Sequence, residues 1–269
     1  MYEFNRKKPV SINLSCPLGS VDIVSERRNN IKVAITALDS SRQDRESVTN
    51  TSVVLINDEL IIEPPRGSSY LRSSTRLNIK ARIPIDSSAK INVASAVVNC
   101  DGRYKDLNIT TASGEIYVED ITGNLTLKTA TANSQIGDVG GKLTARSASG
   151  NITFGHVAGK MIVRSGSGNI KIATSSKDIK YKSNSGDLDI VSVNSGLISC
   201  QSESGSIRIG INPDTIALLN LNSKTGEITD EIDTQRNIDS PKSVTLHLNT
   251  NTGDIHVFEA LAESFQPKR

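Results

Sequence analysis

One ten-residue pattern limits what this chain can fold into more than any other feature. It reads apolar, x, apolar, x, Ser/Thr, x, Ser/Thr, Gly, x, apolar. Leu107 to Ile116 is one copy, and others run Leu143 to Ile152, Met161 to Ile170, Ile179 to Leu188, Ile198 to Ile207, Leu219 to Ile228 and Leu246 to Ile255. Ile12 to Val21 keeps Gly19 but has Cys16 and Leu18 in the Ser/Thr slots. The glycines fall at Gly114, Gly150, Gly168, Gly186, Gly205, Gly226 and Gly253. Between Gly150 and Gly226 the intervals are 18, 18, 19 and 21 residues. The interval of 36 before Gly150 is two periods, with Ser134 expected at the missing corner. The interval of 27 before Gly253 predicts an insertion around residues 233–242.

Apolar residues alternate within each copy, as in Ile170-Lys171-Ile172 and Ile179-Lys180-Tyr181. A period of two is a strand with one buried face. Each copy therefore supplies two strands of about 3–5 residues, too short to enclose a core alone. Stacking the copies as parallel strands about 4.8 Å apart makes one continuous apolar column. The glycine marks a corner that needs positive φ or close backbone approach, and the small hydroxyl residues can bond the backbone there. The expected fold is all-β: a parallel β-solenoid of repeats of about 18–20 residues. In register, the outward residues Thr153, Lys171, Asp189 and Arg208 would follow one another on adjacent strands, with alternating charge.

The N-terminal third is less regular. Residues 11–24 and 31–38 read as strands, 39–50 as a short helix, and 53–62 as a hairpin turning at Asn57-Asp58. A Ser/Arg-rich loop over 64–75 leads to a strand at 77–83. These pieces are expected to cap the solenoid and shield its first edge. The boundaries that follow are a single repeat domain over 10–258, irregular over 10–94 and regular over 95–258. Residues 1–9 and 259–269 are expected to be flexible ends.

With 31 Lys+Arg against 29 Asp+Glu, the net charge of +2 argues against a dedicated nucleic-acid binder. Aromatic residues make up 3% of the chain and Trp is absent, which weakens any site built on stacking. No apolar segment follows the early charges Arg6-Lys7-Lys8, and no run is long enough to span a bilayer. The expected location is the cytoplasm, with surface association by another route left open. Cys16, Cys100 and Cys200 are odd in number and lack a CxxC spacing, so they read as packed small hydrophobes.

The Ser-Gly-x-Ile units, with Ser149-Gly150-Asn151-Ile152 and Ser167-Gly168-Asn169-Ile170 as the cleanest, resemble the bacterial adhesin-like family called domain of unknown function 4097. The opening Pro17-Leu18-Gly19-Ser20-Val21-Asp22-Ile23 is similar too, and the likeness covers about residues 10–258, closest to the actinobacterial branch. The resemblance implies a parallel solenoid-like fold and an adhesive role. It brings no catalytic residues with it.

No GxSxG, GxxxxGK[ST], GxGxxG or HExxH motif occurs, and His156, His247 and His256 have no partner at metal-ligand spacing. No cofactor or metal is expected. The residue after the glycine is Glu115, Asn151, Asn169, Asp187, Ser206, Glu227 or Asp254. In a solenoid these line one edge, where they suit turns or, alternatively, a cation or a pair of acid–base carboxylates. Arg146, Arg164 and Lys182 share one slot in three successive copies, with Lys142, Lys160 and Lys180 nearby. Like charges on adjacent strands repel unless an anion answers them, so the stripe is either a solvated face or an anion-binding one. The group Arg66, Arg72, Arg76, Lys80 and Arg82, with no acid between Arg66 and Ile85, reads either as a mobile loop or as a contact for an anionic partner or a phospholipid headgroup. The reading that follows is a non-enzymatic, adhesin-like binding module whose partner is a protein or an anionic polymer. The alternatives are a self-assembling scaffold, with the coil at Gly253 as its bare end, and a β-helix carbohydrate-active enzyme.

Overall fold

The structure is a computed structural model and describes residues 1–39, 41–65, 76–232 and 242–261. The chain forms a β-solenoid and divides into two compact units, residues 1–137 and 138–269.

In the first unit the strands are β1 (Tyr2–Asn5), β2 (Ser11–Glu26), β3 (Asn30–Ala37), β4 (Ser52–Ile56), β5 (Glu59–Glu63), β6 (Arg76–Pro84), β7 (Ser88–Tyr104), β8 (Leu107–Thr111), β9 (Glu115–Ile121), β10 (Leu125–Thr129) and β11 (Asn133–Val139). Helix α1 (Arg42–Asn50) follows β3, and its N-terminus is capped by the Ser41 hydroxyl, which accepts from Asp44 N. The long strands β2 and β7 each supply both sides of a coil. They run parallel in register, Ile12 opposite Ala89 and Val21 opposite Val98. Strand β7 then pairs with β8 on one side and β9 on the other. The copy at Ile12 to Val21 is therefore a genuine coil, and Ala89 to Val98 is another that the motif does not show. At its corner Ala96 takes the glycine position, opposite Gly19.

The cap is built from antiparallel pieces. β4 and β5 form the predicted hairpin, with Asn57 and Asp58 at φ 47° and 67°, the left-handed pair that a two-residue turn needs. β3 pairs antiparallel with β6, and β1 with β3. Residues 2–5, expected to be loose, are thus a paired strand, and the chain's early apolar alternation of Tyr2 and Phe4 against Val33 and Ile31 is the reason.

The second unit contains β12 (Leu143–Ser147), β13 (Ile152–Val157), β14 (Met161–Ser165), β15 (Ile170–Ser175), β16 (Ile179–Ser183), β17 (Leu188–Val193), β18 (Gly196–Ser202), β19 (Ile207–Ile211), β20 (Ile216–Ser223), β21 (Ile228–Asp230), β22 (Ser243–Thr250) and β23 (Ile255–Glu259). They make two parallel sheets. Ile152, Ile170, Leu188 and Ile207 stand in single file, as the repeat requires. All four are buried, as are Met161, Val163, Ile179 and Tyr181 on the facing sheet.

The stacking order departs from chain order at one place. β18 pairs with β22, and β22 with β20; likewise β19 pairs with β23, and β23 with β21. The coil at Gly253 is thus inserted between the coils at Gly205 and Gly226. The outer coil is the one at Gly226, not the one at Gly253. The connection that permits this, over 233–241, lies outside the described residues, as does the insertion predicted there. The tail after 261 is also outside them. Before it, Glu259 still belongs to β23 and Ala260 is buried.

The corners work through small residues. Ser147 Oγ accepts from Gly150 N, Ser165 Oγ from Gly168 N and Ser202 Oγ from Gly205 N, at 3.0, 3.1 and 2.9 Å. The glycine is needed there for close approach. A Cβ on Gly168 would land on the Gly150 carbonyl oxygen. Between Gly114 and Gly150, the residue capped in this way is Ala132, whose N–H donates to Thr129 Oγ1 at 2.9 Å. Ala132, not Ser134, stands at the missing corner. Ser134 takes the inward position two residues later, and is buried.

Candidate functional site

Six strands of the second unit, in the spatial order β12, β14, β16, β18, β22, β20, form one sheet with a distinctive outer face. Their registers place Arg146, Arg164, Lys182, Gln201, Asn249 and Asn222 in one row across the strands. The row beside it reads Thr144, Ile162, Lys180, Ser199, His247 and Asn220. No Asp or Glu occurs in any of the six strands. The other sheet of the unit does carry acids, among them Asp189, Asp230 and Glu259.

The face has two halves. On β12, β14 and β16, Arg146, Arg164, Lys180 and Lys182 are exposed, and among the described residues none of the four forms an ion pair. Neighbouring strands set the charges about 4.8 Å apart, so this half carries a local positive field that solvent alone screens. On β18, β22 and β20 the face is amide and hydroxyl. A shallow trough of ≈ 670 Å³ is lined by Ser199, Gln201, Asn220, Asn222, His247 and Asn249 over a floor of Cys200, Leu221 and Leu248. Asn222 Nδ2 donates to Asn249 Oδ1 at 3.3 Å, so the amides are mutually ordered across strands.

Of the six predicted cations, the structure brings four together. Lys142 and Lys160 precede β12 and β14 at the corner, off the stripe. Lys160 Nζ lies 3.3 Å from Asp178 Oδ2. Asp178 also accepts from Leu197 N at 3.1 Å, and these two contacts, the backbone one first, hold its carboxyl below the usual carboxylate range. In the basic N-terminal group, Arg76 lies 3.8 Å from Asp39 and Arg82 lies 3.3 Å from Glu26, while Arg66 and Arg72 fall outside the described residues. The amide half was missed by the sequence reading. The signal was present, because Gln201, Asn222 and Asn249 occupy the same motif slot as Arg146.

The edge after the glycines has a structural use. Asn151 Oδ1 accepts from Asn169 N, Asn169 Oδ1 from Asp187 N, and Asp187 Oδ1 from Ser206 N, at 2.9, 3.0 and 2.9 Å. The ladder continues in spatial order through Ser206 Oγ to Asp254 N and Asp254 Oδ1 to Glu227 N. These side chains tie each coil to the next. Glu115 instead accepts from the Tyr117 hydroxyl. On the acid-bearing sheet, Asp189 lies between Lys171 and Arg208, 3.9 and 3.4 Å away, as the alternating charges predicted.

The histidines are separate. His156 Nδ1 meets Thr174 Oγ1 at 2.6 Å, His247 is exposed on the amide half, and His256 packs against Phe258 with ring centroids 5.3 Å apart. No group of three His, Cys, Asp or Glu able to hold a metal ion occurs among the described residues. All three cysteines are free and buried, and burial pushes the Cys16 and Cys100 thiols up to about 12 and raises Cys200 as well. No helix among the described residues is long and apolar enough to cross a membrane.

A repeat of short parallel coils, most of them cornered at glycine, defines a β-solenoid. The Toastrack family, domain of unknown function 4097, matches residues 11–266, and the chain belongs to it. Among solved structures, one described as a "putative cell adhesion protein" from Clostridium sporogenes ATCC 15579 shares 12% identity, covering 95% of this chain and 94% of that one, with a TM-score of 0.24. No curated protein matches the chain.

Proposed function

We propose that the chain is a non-enzymatic, adhesin-like binding module that holds an anionic partner on the acid-free sheet of its second unit. The observation that carries this reading is the row Arg146, Arg164 and Lys182, with Lys180 beside it, on a sheet of six neighbouring strands that contain no carboxylate. Keeping like charges adjacent costs stability that a random solvated face avoids by mixing signs, as the Lys171–Asp189–Arg208 row does.

The test is binding to an anionic polymer, dextran sulfate, at several salt concentrations. The intact chain binds, with affinity falling steeply as salt rises. Replacing Arg146, Arg164, Lys180 and Lys182 by Gln removes most of the binding while leaving the circular-dichroism spectrum unchanged. Binding that survives those four replacements overturns the reading.

A further inference from the structure

The basic half of the face is only half of a longer surface, and the other half says what kind of polymer fits it. We infer that the partner is an acidic polysaccharide lying across the strands, its carboxylates on the cationic half and its hydroxyls over the amide trough. This rests on the basic-face reading above and narrows it.

The outer row passes from Arg146, Arg164 and Lys182 to Gln201, Asn249 and Asn222 without a break in register. A guanidinium or ammonium donates to carboxylates. An amide both donates and accepts, which is what a sugar hydroxyl requires of its partner. Six strands at about 4.8 Å span ~24 Å, and each strand offers one polar side chain in the row. An extended uronic-acid chain advances by about one inter-strand spacing per residue, so about six sugars lie over six strands, those over the cationic half with their carboxylates paired to it and those over the amide half held through hydroxyl and carboxylate oxygens that the amides can serve.

Other anionic partners use one half only. A single-stranded nucleic acid needs exposed aromatic platforms, and the only aromatic residue of these six strands other than His247, Tyr181, is buried. An anionic bilayer surface answers the cations, but it gives the amides nothing beyond the water they already have. The trough also lies beside the charges and not among them, so a polymer with mixed carboxylate and hydroxyl groups reaches both.

Oligogalacturonates of two to ten residues are the probe, titrated by calorimetry against the full chain, with dextran sulfate and anionic phospholipid vesicles in parallel. Affinity for the oligogalacturonates rises with length and levels off near six residues. Replacing Gln201, Asn222 and Asn249 together by Ala weakens the hexamer about tenfold and leaves the salt dependence unchanged, whereas replacing Arg164 by Gln lowers both affinity and salt dependence. Binding that levels off at three residues and ignores the amide replacements overturns the polysaccharide assignment while the basic-face reading stands. The assignment to a carboxylated polysaccharide falls in the same way if vesicles, or the sulfated polysaccharide dextran sulfate, bind and oligogalacturonates do not. If none of the three probes binds, both readings fall.

Discussion

Ser134 offers the sharpest test of how the core is built. It occupies an inward position of the coil that follows β10, where other copies place isoleucine, leucine or valine, and is 5% exposed. Its Oγ is among the few buried side-chain oxygens or nitrogens with no hydrogen-bond partner among the described residues. A buried hydroxyl without a partner costs about 1–3 kcal/mol of desolvation. Replacing Ser134 by Ala removes that cost without adding volume and stabilises the chain by about 1 kcal/mol. Replacing it by Val also restores apolar contact along the column, for a gain of about 1–3 kcal/mol. Urea unfolding followed by far-ultraviolet circular dichroism reads this as a higher midpoint with an unchanged slope. A loss of about 1 kcal/mol or more in Ser134→Ala refutes the reasoning, because it means that the hydroxyl is bonded. Destabilisation by Val alone means instead that the position is tightly packed around a serine.

Three further outcomes follow from the same geometry. Gly168→Ala drives a Cβ onto the Gly150 carbonyl oxygen and costs about 3 kcal/mol or more in urea unfolding; a cost under about 1 kcal/mol shows that the corner yields. Tyr181 is buried, donates its hydroxyl to Gly186 O at 2.9 Å, and has its pKa raised by burial from 10.0 to about 12. Its neutral form therefore contributes stability that is fully present below pH 10 and is lost as pH rises to 12, about 3 kcal/mol in all, so Tyr181→Phe makes the alkaline limb of the stability profile shallower, the buried cysteines and Tyr104 supplying the rest. Leu218, 62% exposed on the outer strand β20, which carries no charge, is replaced by Lys at a cost within about 0.5 kcal/mol. Any concentration-dependent association of the parent chain through this strand, read by sedimentation velocity, falls in the variant, since a lysine blunts a strand edge.

The fold was legible because the repeat states each residue's slot. Ser147, Ser165 and Ser202 cap the corners that the motif assigned to them, and Asn57-Asp58 turns the hairpin that the alternation on either side required. One coil escaped because its corner lacks the defining glycine and has Ala96 instead. The coil between Gly114 and Gly150 was expected from the spacing, but matching on its missing glycine put Ser134 at the corner, where Ala132 stands, when Ser134 belongs in the core. The cations of the candidate site were legible for the same reason as the core, one slot read across consecutive copies.

What the repeat does not state is which coil lies beside which. In a solenoid each coil meets only its neighbours, through interfaces that repeat from coil to coil. Leu219 to Ile228 and Leu246 to Ile255 match the motif equally well, so either can pack on the coil at Gly205, and nothing local distinguishes them. Slot composition is unaffected by that ambiguity: Asn222 and Asn249 follow Gln201 in the outer row in either order. The amide half of the face was therefore within reach of the sequence even though the order of its strands was not. Order decides instead which strand ends the sheet. Among the described residues that strand is β20, with Ile216 and Leu218 where β22 carries Ser243 and Thr245. A surface function read from slots survives the rearrangement, whereas any property of the end of the stack depends on the structure.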